Sequence, residues 1–233
     1  MYAIRLGDDG AELRPLEPWH AEEFLAHLER GRDFINRFVP FAATATDAAG
    51  AREVLQRYAD RRAADTASLH GLWLDGRLVG GVLTLNFDAA NGTCEVGCWL
   101  EPAATGRGLV TRAMRVLIDW VVEERGIHRV EWVAAAGNTA SLAVARRLGM
   151  TRDGVRREAH LHHGVRHDLE VWSVLAPEWR AARAAASSAA ASSAAASSAA
   201  ASSATASSAT ASSAAAPSAT TSPATAAGSR DDH

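Results

Sequence analysis

Apolar positions along the chain follow two rhythms, and the switches between them predict the elements. Glu12 to Leu16 reads as a short strand. Pro18 opens a helix in which Phe24, Leu25 and Leu28 form a stripe at helical spacing. A second helical stretch, Arg32 to Phe38, stops before Pro40. A third runs from Asp47, as N-cap, to Ala64, with Val54, Leu55 and Tyr58 as its stripe. The rhythm then shortens. Leu69–Leu74 and Leu78–Phe87 flank Asp75-Gly76, the chemistry of a tight hairpin turn. Asn91-Gly92 marks another turn, and Thr93–Leu100 is a third antiparallel strand that Pro102 ends. Along it Cys94, Val96, Cys98 and Leu100 face one way, and Glu95, Gly97 and Trp99 the other.

Beyond the glycine loop Thr105–Gly108 a long helix extends to about Arg125, with Leu109, Ala113, Val116, Leu117, Trp120 and Val121 on one face. Arg129–Ala134 is a short strand and Gly137-Asn138 a turn. Asn138 caps a helix that stops at Leu148-Gly149. Two strands, Met150–Glu158 and Arg166–Leu175, close the pattern around a His-rich loop. The order is that of a mixed α/β domain. Residues 93–134 should form a right-handed strand–helix–strand crossover with parallel strands.

Composition changes the picture at one end. From Ala181 to Ser229 the chain is almost all Ala, Ser and Thr, while all 7 Trp precede it. One domain over residues 1–180 with a low-complexity tail over 181–233 follows, since the tail lacks the large apolar groups a core needs. Its period of about five matches neither a solenoid unit nor 3.6, so a disordered or transiently helical appendage is expected.

The net charge of −3 gives no basic footprint for nucleic acid. No stretch is apolar enough to span a membrane, and the start lacks a signal core, so a cytoplasmic protein is expected. Cys94 and Cys98 lie four residues apart on one strand, roughly 13 Å between Cα atoms and too far for a disulfide.

A strand, a glycine turn and a helix start make an anion site, because the first helical N–H groups lack partners and the helix dipole favours negative charge. Arg107 and Arg112 would add positive charge. A tight strand-to-helix turn without a ligand is the alternative.

The run Glu95-Val96-Gly97-Cys98-Trp99-Leu100, followed by Gly106 to Ala113, resembles the acetyl-CoA motif of the GCN5-related N-acetyltransferases (GNAT), most closely their ribosomal-protein alanine/serine branch. Leu13-Arg14-Pro15-Leu16 resembles that branch's opening strand. Asn138 to Ser141 with Arg147 to Met150 resembles its second cofactor motif, and Gly154 to Ala159 with Gly164, Asp168 and Glu178-Trp179 its closing hairpin. The resemblance spans residues 11–180. Thr105 and Val110 depart from the usual phosphate loop at places where backbone N–H groups do the binding, and Cys98 stands where the branch often has Tyr.

The resemblance implies a mostly antiparallel sheet whose fourth and fifth strands splay apart, with flanking helices. It implies acetyl-CoA as co-substrate, its pantetheine along Cys98, Trp99 and Leu100 and its pyrophosphate on Gly106, Arg107, Gly108, Leu109, Val110 and Thr111, with Asn138 as a further contact. It also implies direct attack by an uncharged amine in a ternary complex. Ser141 is the candidate proton donor to the departing thiolate, Glu95 the candidate base, and His160 the alternative base. Each has an ordinary reading too: a first-turn polar residue, a solvated strand residue, a loop histidine. His160, His162, His163 and His167 lack an acidic or Cys partner, so no metal is expected.

The acceptor implied is a protein N-terminal amine. A small amine of aminoglycoside or polyamine type is the alternative within the fold, and a CoA-binding module without turnover the alternative outside it. Monomer and homodimer both remain open.

Overall fold

In a computed structural model the described residues are 3–210, with side chains to residue 193. The described residues up to Arg183 form one compact unit, and those from Ala184 fall outside it. Within this unit, one sheet of eight strands has the order β1(Ile4–Arg5), β2(Ala11–Pro15), β3(Ser68–Leu74), β4(Arg77–Asp88), β5(Thr93–Leu100), β6(Arg129–Ala135), β8(Val165–Leu175), β7(Thr151–His162). All neighbours are antiparallel except β5 and β6. The helices are α1(Ala21–Asn36), α2(Phe41–Thr44), α3(Ala48–Ala63), α4(Leu109–Asp119), α5(Thr139–Arg147) and α6(Ala176–Thr210).

The alternation along β5 feeds two cores, one on each face of the sheet. Cys94 and Val96 are buried with Leu109, Met114 and Leu117 of α4 and with Leu142 and Val144 of α5. Trp99 points the other way, into a cluster with Phe24 and Leu28 of α1 and Val54 and Leu55 of α3. The domain is therefore three layers, helices on both faces of a sheet, as the binary pattern requires. Each large aliphatic side chain buried in this way contributes about 1.5–3 kcal/mol relative to exposure.

Several expectations change. β1 is only two residues long and pairs with β2 through Ile4↔Leu13. It moves the splayed pair from fourth and fifth to fifth and sixth place. The two helices expected over Pro18–Leu28 and Arg32–Phe38 are one helix, α1, kinked at Gly31, and a 3-10 turn, Pro18–His20, precedes it. Pro40 is followed by a further short helix, α2. The long helix after the glycine loop ends at Asp119 and continues as a π turn, Trp120–Glu124. The His-rich segment is not a loop: β7 runs to His162, and His163-Gly164 make the turn at φ +48° and +76°.

The caps fall where their residues predict. Asp47 Oδ1 accepts from the Gly50 N–H at 2.7 Å, and Asn138 Oδ1 from the Ser141 N–H at 3.1 Å. Residues 184–210 continue as part of α6. The expectation for the tail otherwise falls on 211–233, outside the described residues.

Candidate functional site

β5 and β6 pair only from Thr93↔Arg129 to Val96↔Trp132. Past that point β6 stays with β8, through Val133↔Val171 to Ala135↔Leu169, while β5 stays with β4, through Val82↔Cys98 to Gly80↔Leu100. The strands part, and the β6-facing edge of Gly97 to Leu100 has no strand neighbour. Two cavities open along this gap, of about 590 and about 320 Å³. Both are bordered by Arg37, Phe38, Val39, Cys98, Trp99, Asn138 and Ser141.

The larger cavity lies between the end of β5, the glycine loop and α5. Its wall contains Cys98, Trp99, Leu100, Gly106, Gly108, Leu109, Val110, Thr111 and Asn138. Gly108 caps α4 at φ +70° and no side chain caps the helix. The N–H groups of Gly106 to Thr111 meet no acceptor among the described residues. A Cβ at Gly106 or Gly108 would touch nothing within 4 Å. The glycines are thus required by the left-handed backbone, and the unpaired donors face open space that can take an anion.

The positive charge of this cavity is not where the sequence put it. Arg107 is exposed and outside the wall. Arg112 is held by Asp9 in a two-point pair, Nη1–Oδ1 3.0 Å and Nη2–Oδ2 2.7 Å, and also donates to the Leu6 carbonyl. Arg37 and Arg147 border the cavity instead, neither with an ion-pair partner among the described residues. No carboxylate lines it. Arg147 had a signal in the sequence: it follows Ser141 and Val144 at spacing three, on the same helix face.

The smaller cavity brings Glu95, Ser141 and His160 together. Ser141 Oγ accepts from the Trp132 indole N–H at 3.0 Å. Indole only donates, so the hydroxyl proton of Ser141 remains available to the cavity. Glu95 accepts from Asn86 Nδ2 at 3.0 Å, and burial raises its pKa despite that bond. Burial lowers the pKa of His160, with neighbouring His162 and His167 adding to the effect. The Glu95 shift is towards the neutral range where a base operates, whereas the His160 shift favours the unprotonated imidazole. The Cys98 thiol is pushed up to about 12 by burial, which makes it a poor nucleophile.

Trp99 packs where a glycine admits it. A Cβ at Gly81 would sit 2.1 Å from Trp99 Cη2. The ring is edge-on to Phe41 at 5.2 Å and 87°. Its N–H donates to His27 Nε2 at 3.0 Å.

A sequence profile of the acetyltransferase (GNAT) domain matches residues 11–151. The chain belongs to the GNAT acetyltransferase family. GNAT membership, with relatives described as N-acetyltransferases, makes it an acetyl-CoA-dependent acyltransferase. One relative, "Putative ribosomal N-acetyltransferase YdaF" of Bacillus subtilis (strain 168), is 33% identical over 172 residues, 73% of this chain and 94% of that protein. A second from the same organism, "Probable N-acetyltransferase YjcK", is 30% identical and covers 71% and 94%. A solved structure described as a probable acetyltransferase superposes with TM-score 0.71 at 30% identity, covering 77% of this chain and 99% of that one. The fold is also that of RimL, a ribosomal L7/L12 alpha-N-protein acetyltransferase solved with coenzyme A (TM-score 0.71, 19% identity, 74% and 97% covered). The GNAT sheet with its one parallel pair is the fold that the sequence resemblance implied. No group of three or more His, Cys, Asp or Glu side chains among the described residues could hold a metal.

Proposed function

We propose that the protein transfers the acetyl group of acetyl-CoA to the N-terminal amine of a protein, with the larger cavity for the CoA and the smaller for the acceptor. The observation that carries this reading is the gap past Val96↔Trp132, where the two cavities share Cys98, Trp99, Asn138 and Ser141. An amine entering from one side can meet a thioester entering from the other, so holding both supplies much of the rate.

Each residue then has one task. The N–H groups of Gly106 to Thr111 and the side chain of Arg147 receive phosphates. The free edge of Cys98, Trp99 and Leu100 hydrogen-bonds the pantetheine arm and offers a backbone donor to the developing oxyanion. Glu95 takes the proton from the attacking amine, with His160 as the other candidate, and Ser141 gives its proton towards the departing sulfur. A Cys98 thiol held protonated supports direct transfer over an acyl-cysteine route. A protein acceptor is supported by the relatives' descriptions. Residues 1–180 serve as the catalytic domain in this reading, and the tail carries no assigned residue.

The test is thiol release from acetyl-CoA with a panel of Ser- or Ala-starting peptides and small amines. Release with peptides supports the reading. Release only with aminoglycosides or polyamines replaces it, and saturable CoA binding without release under any acceptor makes the protein a binding module.

A further inference from the structure

The charge around the smaller cavity narrows the acceptor, provided that this cavity is the acceptor site as read above. His160 pairs directly across the hairpin with His167, and His162 lies two residues further along β7 on the same face. All three border the cavity. The rings of His160 and His162 stack at 5.5 Å and 19°. The hairpin tip is fixed over the C-terminal end of α1, where the Asn36 carbonyl accepts from His162 Nε2 at 2.7 Å and from His163 Nε2 at 3.2 Å. His160 and His167 have no side-chain hydrogen bond among the described residues. Arg37, the residue after Asn36, also borders the cavity. Against these, Glu95 is the single carboxylate of the wall, and it already holds Asn86.

Such a wall treats charged acceptors unequally. A carboxylate accepts from imidazole N–H groups in either protonation state and from a guanidinium with added strength. A second ammonium on a polyamine or a lysine meets the Arg37 guanidinium and the N–H groups of His160 and His167, with one carboxylate to satisfy it, and like charge placed there is costly. We infer that the acceptor is an N-terminal segment carrying an Asp or Glu within its first residues, received by His160, His167 and Arg37, with His162 holding the hairpin and the His160 ring in place.

The experiment compares three otherwise identical peptides beginning Ser-Asp, Ser-Ala and Ser-Lys at saturating acetyl-CoA. One added charge-assisted hydrogen bond lowers KM about five- to tenfold, so KM should rise from the acidic to the neutral to the basic peptide. In His167→Asn the KM of the acidic peptide should rise several times more than that of the neutral one, with CoA affinity as the control for folding. His162→Asn provides a second variant if the first fails that control. Equal KM values for the three peptides, a preference for the basic one, or an undiminished acidic preference in both variants overturns the inference while leaving a peptide acceptor standing. If no peptide is acetylated and a small amine is, the peptide reading itself falls and this inference with it.

Discussion

The indole N–H of Trp99 donates to Nε2 of His27, 72 residues earlier in the chain, at 3.0 Å. Indole is donor only, so this bond assigns the His27 proton to Nδ1, which faces Glu101 Oε2 at 3.2 Å. Glu101 is 1% exposed and also accepts from Arg30 Nε at 2.8 Å and from Arg77 Nη2 at 3.0 Å. The network ties α1 and β4 to the end of β5, where the strand borders both cavities. The position of the Trp99 backbone is therefore set by buried polar contacts on the far side of the sheet from the glycine loop.

Two buried histidines, His27 of this network and His70 of β3 outside it, make stability pH-dependent. Burial lowers the pKa of His27 to about 4 and that of His70 to about 4. Both are neutral when folded, whereas the unfolded chain takes up their protons below about pH 6.5. Their contribution is complete above that pH and is lost as pH falls towards 4. Urea unfolding at about pH 7 and about pH 5 should show the parent losing roughly 1–2 kcal/mol more than His70→Gln, which lacks one of these groups. Equal losses in the two proteins would contradict the assignment.

CoA affinity should depend on Arg147 and not on Arg112. Removing an arginine that meets a phosphate costs about 1.5–3 kcal/mol, or roughly ten- to a hundredfold in Kd, so Arg147→Ala should show a loss of that order by calorimetry. Arg112→Ala removes the Asp9 pair and should change thermal stability while altering Kd less than twofold, about the scale of an exposed ion pair's reach. The reverse pattern would return the cradle to α4.

Much of this was legible in the chain because local chemistry carried it. Asp75-Gly76, Asn91-Gly92, Asp47 and Asn138 each act within a few residues, and each stands where its turn or cap rule puts it. The alternation of β5 survives because each face meets its own core. What was hidden depends on distance. Asp9 takes Arg112 from 103 residues away, and Glu101 gathers His27 and Arg30 from α1 and Arg77 from β4. β1 and α2 are too short to show a period, and the clustered polar histidines of 160–167 give no alternation to mark where β7 ends and the His163-Gly164 turn begins.

Turnover should depend on Ser141 more than binding does. Ser141→Ala removes the acceptor of the Trp132 N–H and the proton offered to the sulfur. A loss of about 10²-fold in kcat, with KM for acetyl-CoA changed less than threefold, is the expected steady-state result. An unchanged kcat removes Ser141 from the chemistry.

Glu95 should shape the acid limb of the pH profile. A base works only when deprotonated, and burial raises the Glu95 pKa, so kcat/KM should fall as pH drops through that raised value. Glu95→Gln should lower the rate and flatten this limb, while His160→Gln keeps it. If His160→Gln flattens it and Glu95→Gln does not, the imidazole is the base.

The most direct measurement is the initial rate of CoA thiol release with one Ser-starting peptide in two forms, its α-amine free or already acetylated. Release that saturates with the free peptide and falls to the acceptor-free background with the blocked one is the expected result. Equal release from both forms, or none from either while CoA binds, would contradict transfer to a protein N-terminal amine.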